Sequence, residues 1–343
     1  MLGRRQLLEI SQRAAAVLRD TQAADRYRHR GYTRIDPFEI ADEVDIEVML
    51  RPLQDLLGAF LREAQPGILV NAERPPGLVH MTCAHELGHF FLGHETTTDR
   101  QLDYGPEADP IEKAADWFAY HLLMPRNLVA DLIRRKGWKN RLKDPFTLYQ
   151  LSLRLGTSYS ATIWTLWHLN VLGLSATDAK ALTRIAPQSL KRELVGGSDE
   201  TLSDVWVLDK ADKDLILEPR PTDKFVLDLP SHISAGYLWA LADAEDAGFT
   251  MRPVTRVGSP TGFAHGDPIV VGGVTQQRYL LEAHGAERAD AIARVNFEFR
   301  EQQPWRTDQP AHDAFRTAAE FETIELGLTA RGRERLIDEV SAS

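Results

Sequence analysis

The sequence predicts an α+β chain in which a region of helices and strands and a helical segment are followed by an all-β domain. Up to about residue 195, most apolar residues recur at helical spacing, interrupted early by three short strand-like runs. Beyond residue 203, short alternating apolar runs are separated by Gly, Pro and Asp, as in β domains. The 343 residues allow two or three domains, and a content of 43% hydrophobic and 26% charged residues excludes a disordered, fibrous or membrane-embedded chain.

The first region is predicted to begin with helices and to continue into strands. Apolar residues at helical spacing predict a helix over residues 4–29, which Gly31 ends. Asp36 followed by Pro37 is a typical helix start, because the Asp side chain caps free N–H groups and Pro fits the first turn. Short apolar runs predict strands at residues 46–50, 58–61 and 67–71.

The next elements are predicted to be mostly helical. A turn at residues 75–77 precedes a strongly apolar helix over residues 78–94. A polar, acidic loop over residues 95–110 leads to another helix over residues 111–124. Residues 126–195 continue as a series of helices.

The remainder is expected to be a β domain with a helical tail. Gly196, Gly197 and Ser198 form a candidate linker, and the last 30 residues return to helical spacing with Thr329 as a candidate N-cap. Strand-like runs lie at residues 205–208, 215–217, 225–229, 279–283 and 291–299. The predicted domains are residues 1–130, a helical segment over 131–197, a β domain over 203–306 and a helical tail over 307–343.

Charge and cysteine content limit the partners and the compartment. The net charge of −10 argues against nucleic-acid binding by the whole surface. Two segments are nevertheless basic, because residues 1–34 hold eight Arg against three acidic residues and residues 126–155 hold eight Lys and Arg against two. The single Cys83 excludes an internal disulfide and a Cys-rich zinc site. With no long apolar segment and no recognisable signal peptide, we expect a cytoplasmic protein without membrane contact.

The strongest chemical motif is His85-Glu86-Leu87-Gly88-His89. On a helix, His85 and His89 share one face and can bind one metal ion, while Glu86 can reach a water on that ion. Zn²⁺ suits two imidazoles and lowers the pKa of a bound water toward ~7, so that a carboxylate can act as general base at neutral pH. The alternative is an ordinary buried pair, which would be costly among the apolar neighbours because two histidines and a glutamate would need partners.

A hydrolytic zinc site needs a third protein ligand. His94 lies five residues after His89 rather than the six of the HExxHxxGxxH pattern, so it is expected to be an ordinary helix-end residue. Glu112, on the next predicted helix, is the preferred third ligand, with Asp116 one turn later placed to fix the tautomer of a ligating histidine. The loop acids stay open as alternatives: Glu95, Asp99, Asp103 and Glu107.

The sequence around the motif resembles the ImmA/IrrE-type zinc metallopeptidases. The segments TCAHELGHFFLGH and EKAADWFAYHLLMP carry the resemblance, together with GYTRIDPFEIADEVDIEV, LLGAF and GILVN upstream. It covers about residues 1–130, with His80-Met81 departing from the Arg-Phe often found in the family. The resemblance implies a zincin-like domain that cleaves a helix-turn-helix repressor, with two His ligands and a Glu twelve residues before the Met of LLMP, which is Glu112.

Several further residues are candidates for minor roles at this site. Cys83 should face away from the ion if the helix already includes it, and it can serve as a redox residue or resting-state zinc contact only if the helix starts at or after it. The oxyanion-stabilising group is unassigned, with three candidates: Tyr104, Tyr120 and His121.

Residues 148–169 have the pattern of two helices joined by a turn, as in a helix-turn-helix motif. The second helix is too apolar to present base-reading side chains, which favours a structural or nonspecific phosphate-binding role. Candidate nucleic-acid contacts, with single-stranded DNA as a possible activator, are the basic residues Arg134, Arg135, Lys136, Lys139, Arg141 and Lys143.

The β region resembles the chagasin-like protease inhibitors, which are immunoglobulin-like β-sandwiches. Ser234-Ala235-Gly236-Tyr237-Leu238-Trp239, Val271-Gly272-Gly273-Val274-Thr275 and Gln303-Pro304-Trp305 are similar to the three loop motifs of that family, over about residues 205–306. The first loop has Pro230-Ser231-His232-Ile233 in place of Asn-Pro-Thr-Thr, and the second lacks a Gly after Val274. We therefore expect the fold without the inhibitory activity, in a sensor or substrate-docking domain.

Together these features predict a cytoplasmic, zinc-dependent endopeptidase that cleaves a cognate helix-turn-helix repressor. The resemblance implies release of repression in a stress, DNA-damage or phage-defence response. Glu86 is the expected general base, and one Zn²⁺ per chain is expected on His85, His89 and Glu112. The alternative is a non-proteolytic sensor or DNA-binding regulator that acts by protein contact.

Overall fold

A computed structural model of the chain describes residues 2–63, 65–99, 109–170, 173–195, 203–242, 248–254, 275–283, 294–306 and 308–342. The chain divides into two compact units. The first consists of Met1–Thr183 with Ile324–Ser343, and the second of Arg184–Thr323. The predicted α+β class is confirmed, and no helix in the described part of the chain has the length and apolar character needed to span a bilayer.

The first unit places helices around one five-stranded sheet. Its helices are α1 (Arg4–Asp20), α2 (Ala23–His29), α3 (Pro37–Glu43), α4 (Pro76–Leu92), α5 (Pro110–Leu123), α6 (Arg126–Arg135), α7 (Pro145–Leu155), α8 (Tyr159–His168), α9 (Ala176–Leu182) and α11 (Ala330–Ala342). Its strands are β1 (Glu47–Arg51), β2 (Gly58–Leu61), β3 (Gly67–Asn71), β4 (Thr97–Asp99) and β13 (Gly327–Leu328). The sheet has the order β13-β1-β3-β2-β4, with β1 and β3 parallel and the other pairs antiparallel.

Local sequence explains how these helices begin and end. The Asp36 carboxylate accepts hydrogen bonds from the N–H groups of Phe38 and Glu39, as expected for an N-cap. The single helix predicted over residues 4–29 is wrong, because Gln22 adopts a positive φ of 55° and separates α1 from α2. Helix α4 begins at Pro76, inside the predicted turn, and ends at Gly93 with a φ of 76°.

The described residues of the second unit form α10 (Pro187–Leu194) and two four-stranded sheets. Its strands are β5 (Val205–Leu208), β6 (Ile216–Leu217), β7 (Lys224–Ser231), β8 (Leu238–Ala242), β9 (Phe249–Pro253), β10 (Thr275–Ala283), β11 (Arg294–Gln302) and β12 (Asp313–Glu320). The sheets have the orders β5-β7-β10-β9 and β6-β12-β11-β8. Aromatic rings from both sheets meet in one core, where Phe225 and Phe249 each contact Phe297 and Phe321.

The C-terminal prediction needs correction. Residues 307–343 are not a helical tail, because β12 pairs with β11 along eight register positions and, among the described residues of this range, only α11 is helical. The Thr329 hydroxyl does accept the N–H of Gly332 at the start of α11. The strand prediction also missed β8 and β9, and the linker proposed at residues 196–198 lies outside the described residues.

Candidate metal centre

Helix α4 carries both histidines into the interior of the first unit. Residues 79–89 of this helix are all buried, and His85 and His89 are 2% and 0% exposed. Because they are four residues apart, their rings lie one above the other, with the two Nε2 atoms 3.0 Å apart. An apolar helix thus presents two imidazole nitrogens at one point.

Helix α5 supplies two carboxylates to the same point. Asp109 caps its start by accepting the N–H of Ile111. Glu112 Oε2 lies 3.1 Å from His85 Nε2 and 3.6 Å from His89 Nε2. Asp116, one turn later, lies with Oδ1 2.9 Å from His85 Nδ1. His85 is therefore held by one carboxylate at each ring nitrogen.

The donor atoms fit a zinc ion. Zinc bonds of about 2.0–2.1 Å in a tetrahedron place neighbouring ligand atoms about 3.4 Å apart, and the three separations in the cluster, 3.0, 3.1 and 3.6 Å, bracket that value. When His85 donates its Nδ1–H to Asp116, its Nε2 lone pair faces the Glu112 carboxylate, and a positive charge between the two would offset their repulsion. In the absence of a metal, a proton supplies the positive charge. Hydrogen bonds from His85 and His89 then lower the pKa of Glu112 well below its ordinary value.

The Glu86 side chain lies between α4 and strand β2. Glu86 is fully buried. Gly58 of β2 makes room for it, because a Cβ at that position would lie 2.7 Å from Glu86 Oε1 and 2.5 Å from Thr82 Cγ2. The absence of a side chain at Gly58 therefore gives the motif carboxylate room between α4 and β2.

Gly88 sets the distance between the two helices that form the cluster. A Cβ on Gly88 would lie 3.0 Å from the carbonyl oxygen of Ala115 and 3.1 Å from its Cα. This close approach of α4 to α5 brings Glu112 and Asp116 within reach of the histidines.

His94 has a role that the sequence analysis missed. Its Nδ1 lies 2.9 Å from His89 Nδ1, so His94 contacts the nitrogen of His89 that faces away from the cluster. Arg62 holds the backbone there, donating to the carbonyl oxygens of His94 and Phe90. The spacing of the histidines in the sequence does not predict this contact, because it depends on the turn at Gly93, which directs the chain back over the helix.

Cys83 is not positioned to contact a metal in this cluster. The helix begins at Pro76, seven residues earlier, so the condition under which Cys83 would reach the ion is not met. The residue is completely buried, and burial raises the pKa of its thiol. Cys83 is a small buried core residue.

Only some of the alternative ligands and oxyanion candidates lie among the described residues. Glu95 is exposed and does not belong to the cluster. Asp103, Glu107 and Tyr104 lie outside the described residues, as does the side chain of Asp99. Tyr120 is buried two turns after Glu112 on α5. His121 instead packs against Trp117, with the ring centroids 5.1 Å apart, and burial lowers its pKa to about 4.

The basic segment offers fewer nucleic-acid contacts than the sequence predicts. Lys136 is buried, with its ammonium 5.5 Å from the centre of the Trp138 ring, so its assignment as a phosphate contact is wrong. Three of the other candidates are exposed but form ion pairs, Arg134 with Asp131, Arg141 with Asp144 and Lys143 with Asp178. Arg135 and Lys139 are also exposed.

The predicted helix-turn-helix pattern corresponds to α7, a turn and α8. The turn packs on the start of α4, because a Cβ on Gly77 would lie 2.5 Å from the backbone of Thr157. His80 Nδ1 lies 3.0 Å from the carbonyl oxygen of Gly156 in the same turn. The residues of α8 that are buried are Tyr159, Ala161, Thr162, Ile163, Thr165 and Leu166. These contacts are those of a helix pair that packs against and supports α4.

Two of the three chagasin-like loop motifs can be located in the second unit. Trp305 is 67% exposed and lies over Gly236, where a Cβ would be 2.5 Å from the Trp305 ring. Gln303 donates to the carbonyl oxygen of Ala235, which joins the first and third motifs. Residues 271–274 of the second motif lie outside the described residues.

Comparisons with known proteins find one family model that overlaps the cluster. No curated protein matches the chain. The cysteine protease inhibitor EhICP2 from Entamoeba histolytica matches with 10% identity and a TM-score of 0.27, over 36% of this chain and 99% of that one. Amebosin matches with 12% identity and a TM-score of 0.24, over 35% of this chain and 98% of that one. At these scores neither structure supports a fold assignment. Residues 41–165, which include α4 and α5, match the model of the Peptidase_M78 family, described as the IrrE N-terminal-like domain, and this match supports a metallopeptidase domain.

Proposed function

We propose that the first unit is a zinc-dependent endopeptidase with a zincin-like site. The observation that carries the proposal is the convergence of His85 Nε2, His89 Nε2 and Glu112 Oε2 on one point, with all three ligand atoms within 4.8 Å of one another. The match of residues 41–165 to the IrrE N-terminal-like domain supports the same activity.

Each residue of the cluster has a separate task in peptide hydrolysis. His85, His89 and Glu112 would hold the zinc ion, and Asp116 would keep the Nε2 lone pair of His85 directed at it. When bound, zinc polarises the scissile carbonyl and lowers the pKa of a water. Glu86 accepts a proton from the attacking water and delivers it to the amide nitrogen of the leaving peptide. The peptide bond is thereby replaced by a carboxyl group and an amine.

The substrate we propose is a helix-turn-helix transcriptional repressor in the cytoplasm, whose cleavage relieves repression during stress, DNA damage or phage attack. This class of substrate is the one that the resemblance of the motif segments to the ImmA/IrrE-type metallopeptidases implies. The second unit, for which we propose an immunoglobulin-like, chagasin-like fold, would dock the substrate or sense a signal. Its two four-stranded sheets with a shared aromatic core are consistent with that fold.

Activation by single-stranded DNA is part of the same proposal. Its support is the exposed part of the basic segment, which consists of Arg134, Arg135, Lys139, Arg141 and Lys143. Phosphates would compete with Asp131, Asp144 and Asp178 for these cations, so contacts of this kind should be weak and sensitive to salt.

The direct experiment uses a candidate substrate, a helix-turn-helix repressor that is sought first among the genes neighbouring this one. The purified repressor is incubated with the zinc-loaded chain, with and without single-stranded DNA, and intact-mass spectrometry identifies the products. We expect two fragments whose masses sum to that of the repressor plus one water, and their absence after chelation. Complex formation without cleavage would contradict the proposal and favour a non-proteolytic regulator. If DNA still stimulates cleavage after Arg135 and Lys139 are changed to Ala, the proposed DNA contact is refuted while the proposed peptidase activity stands.

A further inference from the structure

A second group of metal-ligating side chains lies at one end of the second unit. His232 directly follows β7, Glu301 is near the end of β11, and His312 directly precedes β12. The three residues are distant in sequence and meet where strands of both sheets end. Their ligand atoms lie within 4.8 Å of one another.

The Glu301 carboxylate is the centre of this group. The backbone N–H of His232 donates to Oε1 at 2.7 Å, which fixes the carboxylate and leaves Oε2 to the two rings. Oε2 lies 2.9 Å from His232 Nδ1 and 3.9 Å from His312 Nδ1. The rings are tilted by only 31° with centroids 4.4 Å apart, so their Nδ1 edges face the same oxygen. These two distances bracket the roughly 3.4 Å between neighbouring ligands of tetrahedral zinc.

Burial makes a cation at this position favourable. Glu301 is 0% exposed, and an isolated carboxylate at such a site would be costly. Among the described residues, its ion-pair partners are His232 and His312, with side chains 25% and 40% exposed. The site thus combines a buried anion with two imidazoles that are open to solvent on one side.

We propose that His232, Glu301 and His312 form a second binding site for a divalent transition-metal ion of the zinc class. Two imidazoles and one carboxylate favour zinc-like ions over Ca²⁺ or Mg²⁺, which prefer oxygen ligands. The bound ion would join the end of β7 to the β11–β12 pair and would hold the loop in which Trp305 covers Gly236. This proposal does not depend on peptidase activity in the first unit.

The test is a zinc titration of the full chain, with a chromophoric chelator as competitor. The His85→Ala, His89→Ala double variant removes the first cluster, so any remaining stoichiometric site belongs elsewhere. We expect one Zn²⁺ per chain in this variant, and a loss of affinity by more than about tenfold when His312→Ala is added. His312 is 40% exposed in its side chain, so its replacement should leave folding intact, as circular dichroism can verify.

The matched control is His29→Ala in the same double variant, because the His29 side chain is also exposed, at 71%, and lies in the first unit. No Zn²⁺ bound by the double variant would overturn the proposal. So would equal affinities in the His312→Ala and His29→Ala chains, which would indicate adventitious binding only. Failure of the repressor cleavage assay would leave this result unaffected.

Discussion

The two groups of histidine and glutamate offer the same donor set on different supports. In the first unit, His85 and His89 are one helical turn apart, both are nearly inaccessible, and Asp116 holds His85 from behind. In the second unit, the ligands come from strand ends, and His312 is substantially exposed. A rigid, buried frame suits chemistry that needs fixed geometry. An open site between strand ends is better suited to reversible binding that clamps a loop.

Removal of His89 should have the largest effect on zinc affinity, and this effect should arise at the first cluster and not at the second. Loss of a direct ligand from the buried cluster should lower zinc affinity by more than the roughly 10–100-fold typical of outer partners, and should abolish cleavage. The measurement is zinc affinity of His89→Ala in the His312→Ala background, where a single site is counted. Unchanged affinity relative to that background would show that the α4–α5 cluster is not the metal site.

Local signals in the sequence predicted the first cluster but not the second. His85 and His89 lie within one motif, and Glu112 lies on the next predicted helix. His232 and His312 are 80 positions apart in the sequence, with Glu301 between them and no periodicity, so only the pairing of strands brings the three together.

Strand β12 was not predicted for the same kind of reason. Its sequence, Asp-Ala-Phe-Arg-Thr-Ala-Ala-Glu, is rich in Ala and poor in β-branched residues, which favours helix locally. Pairing with β11 and burial of Phe315 override that preference. Lys136 was misjudged for a related reason, because a basic run does not reveal that one member packs on Trp138.

Asp116→Asn should weaken metal binding in the first unit without removing a ligand. The amide cannot hold the His85 Nδ1–H as an anion does, so zinc affinity should fall by about 10–100-fold while the metal-free fold is kept. Competition with a chelator measures the affinity, and Asp131→Asn, on the exposed surface of α6, is the matched control. An affinity equal to that of the control would refute the role of Asp116.

Substitutions at the two close-packed glycines should affect different properties, zinc affinity at Gly88 and cleavage at Gly58. Gly88→Ala pushes α5 away, and overpacking should cost about 1–3 kcal/mol, partly offset by the helix preference of Ala. Zinc affinity should fall because Glu112 moves. Gly58→Ala displaces Glu86 instead, so cleavage should fall with little change in zinc affinity. Equal losses of zinc affinity in both variants would contradict this division.

A smaller effect should appear on acidification of the metal-free chain, independently of both clusters. Burial lowers the pKa of His121 to about 4, so between pH 6.5 and 4 the unfolded chain binds a proton that the folded chain does not. The free energy of unfolding should therefore decrease as pH falls through this window, by roughly 1–2 kcal/mol at pH 5. Urea unfolding at pH 7 and pH 5 should show a reduced loss in His121→Phe but not in His29→Phe. The same loss in all three chains would contradict the assignment.

The Glu86→Gln variant tests the central claim most directly, because it separates metal binding from proton transfer. Zinc affinity and repressor cleavage are measured on one preparation of this variant and compared with the original chain. Glu86 follows the ligand His85 in sequence and is buried, but it is not one of the three clustered ligands, so zinc affinity should be nearly unchanged. Cleavage should fall by about 10²–10⁴-fold, as expected for loss of a general base. Cleavage at the original rate with zinc still bound would contradict the proposed mechanism.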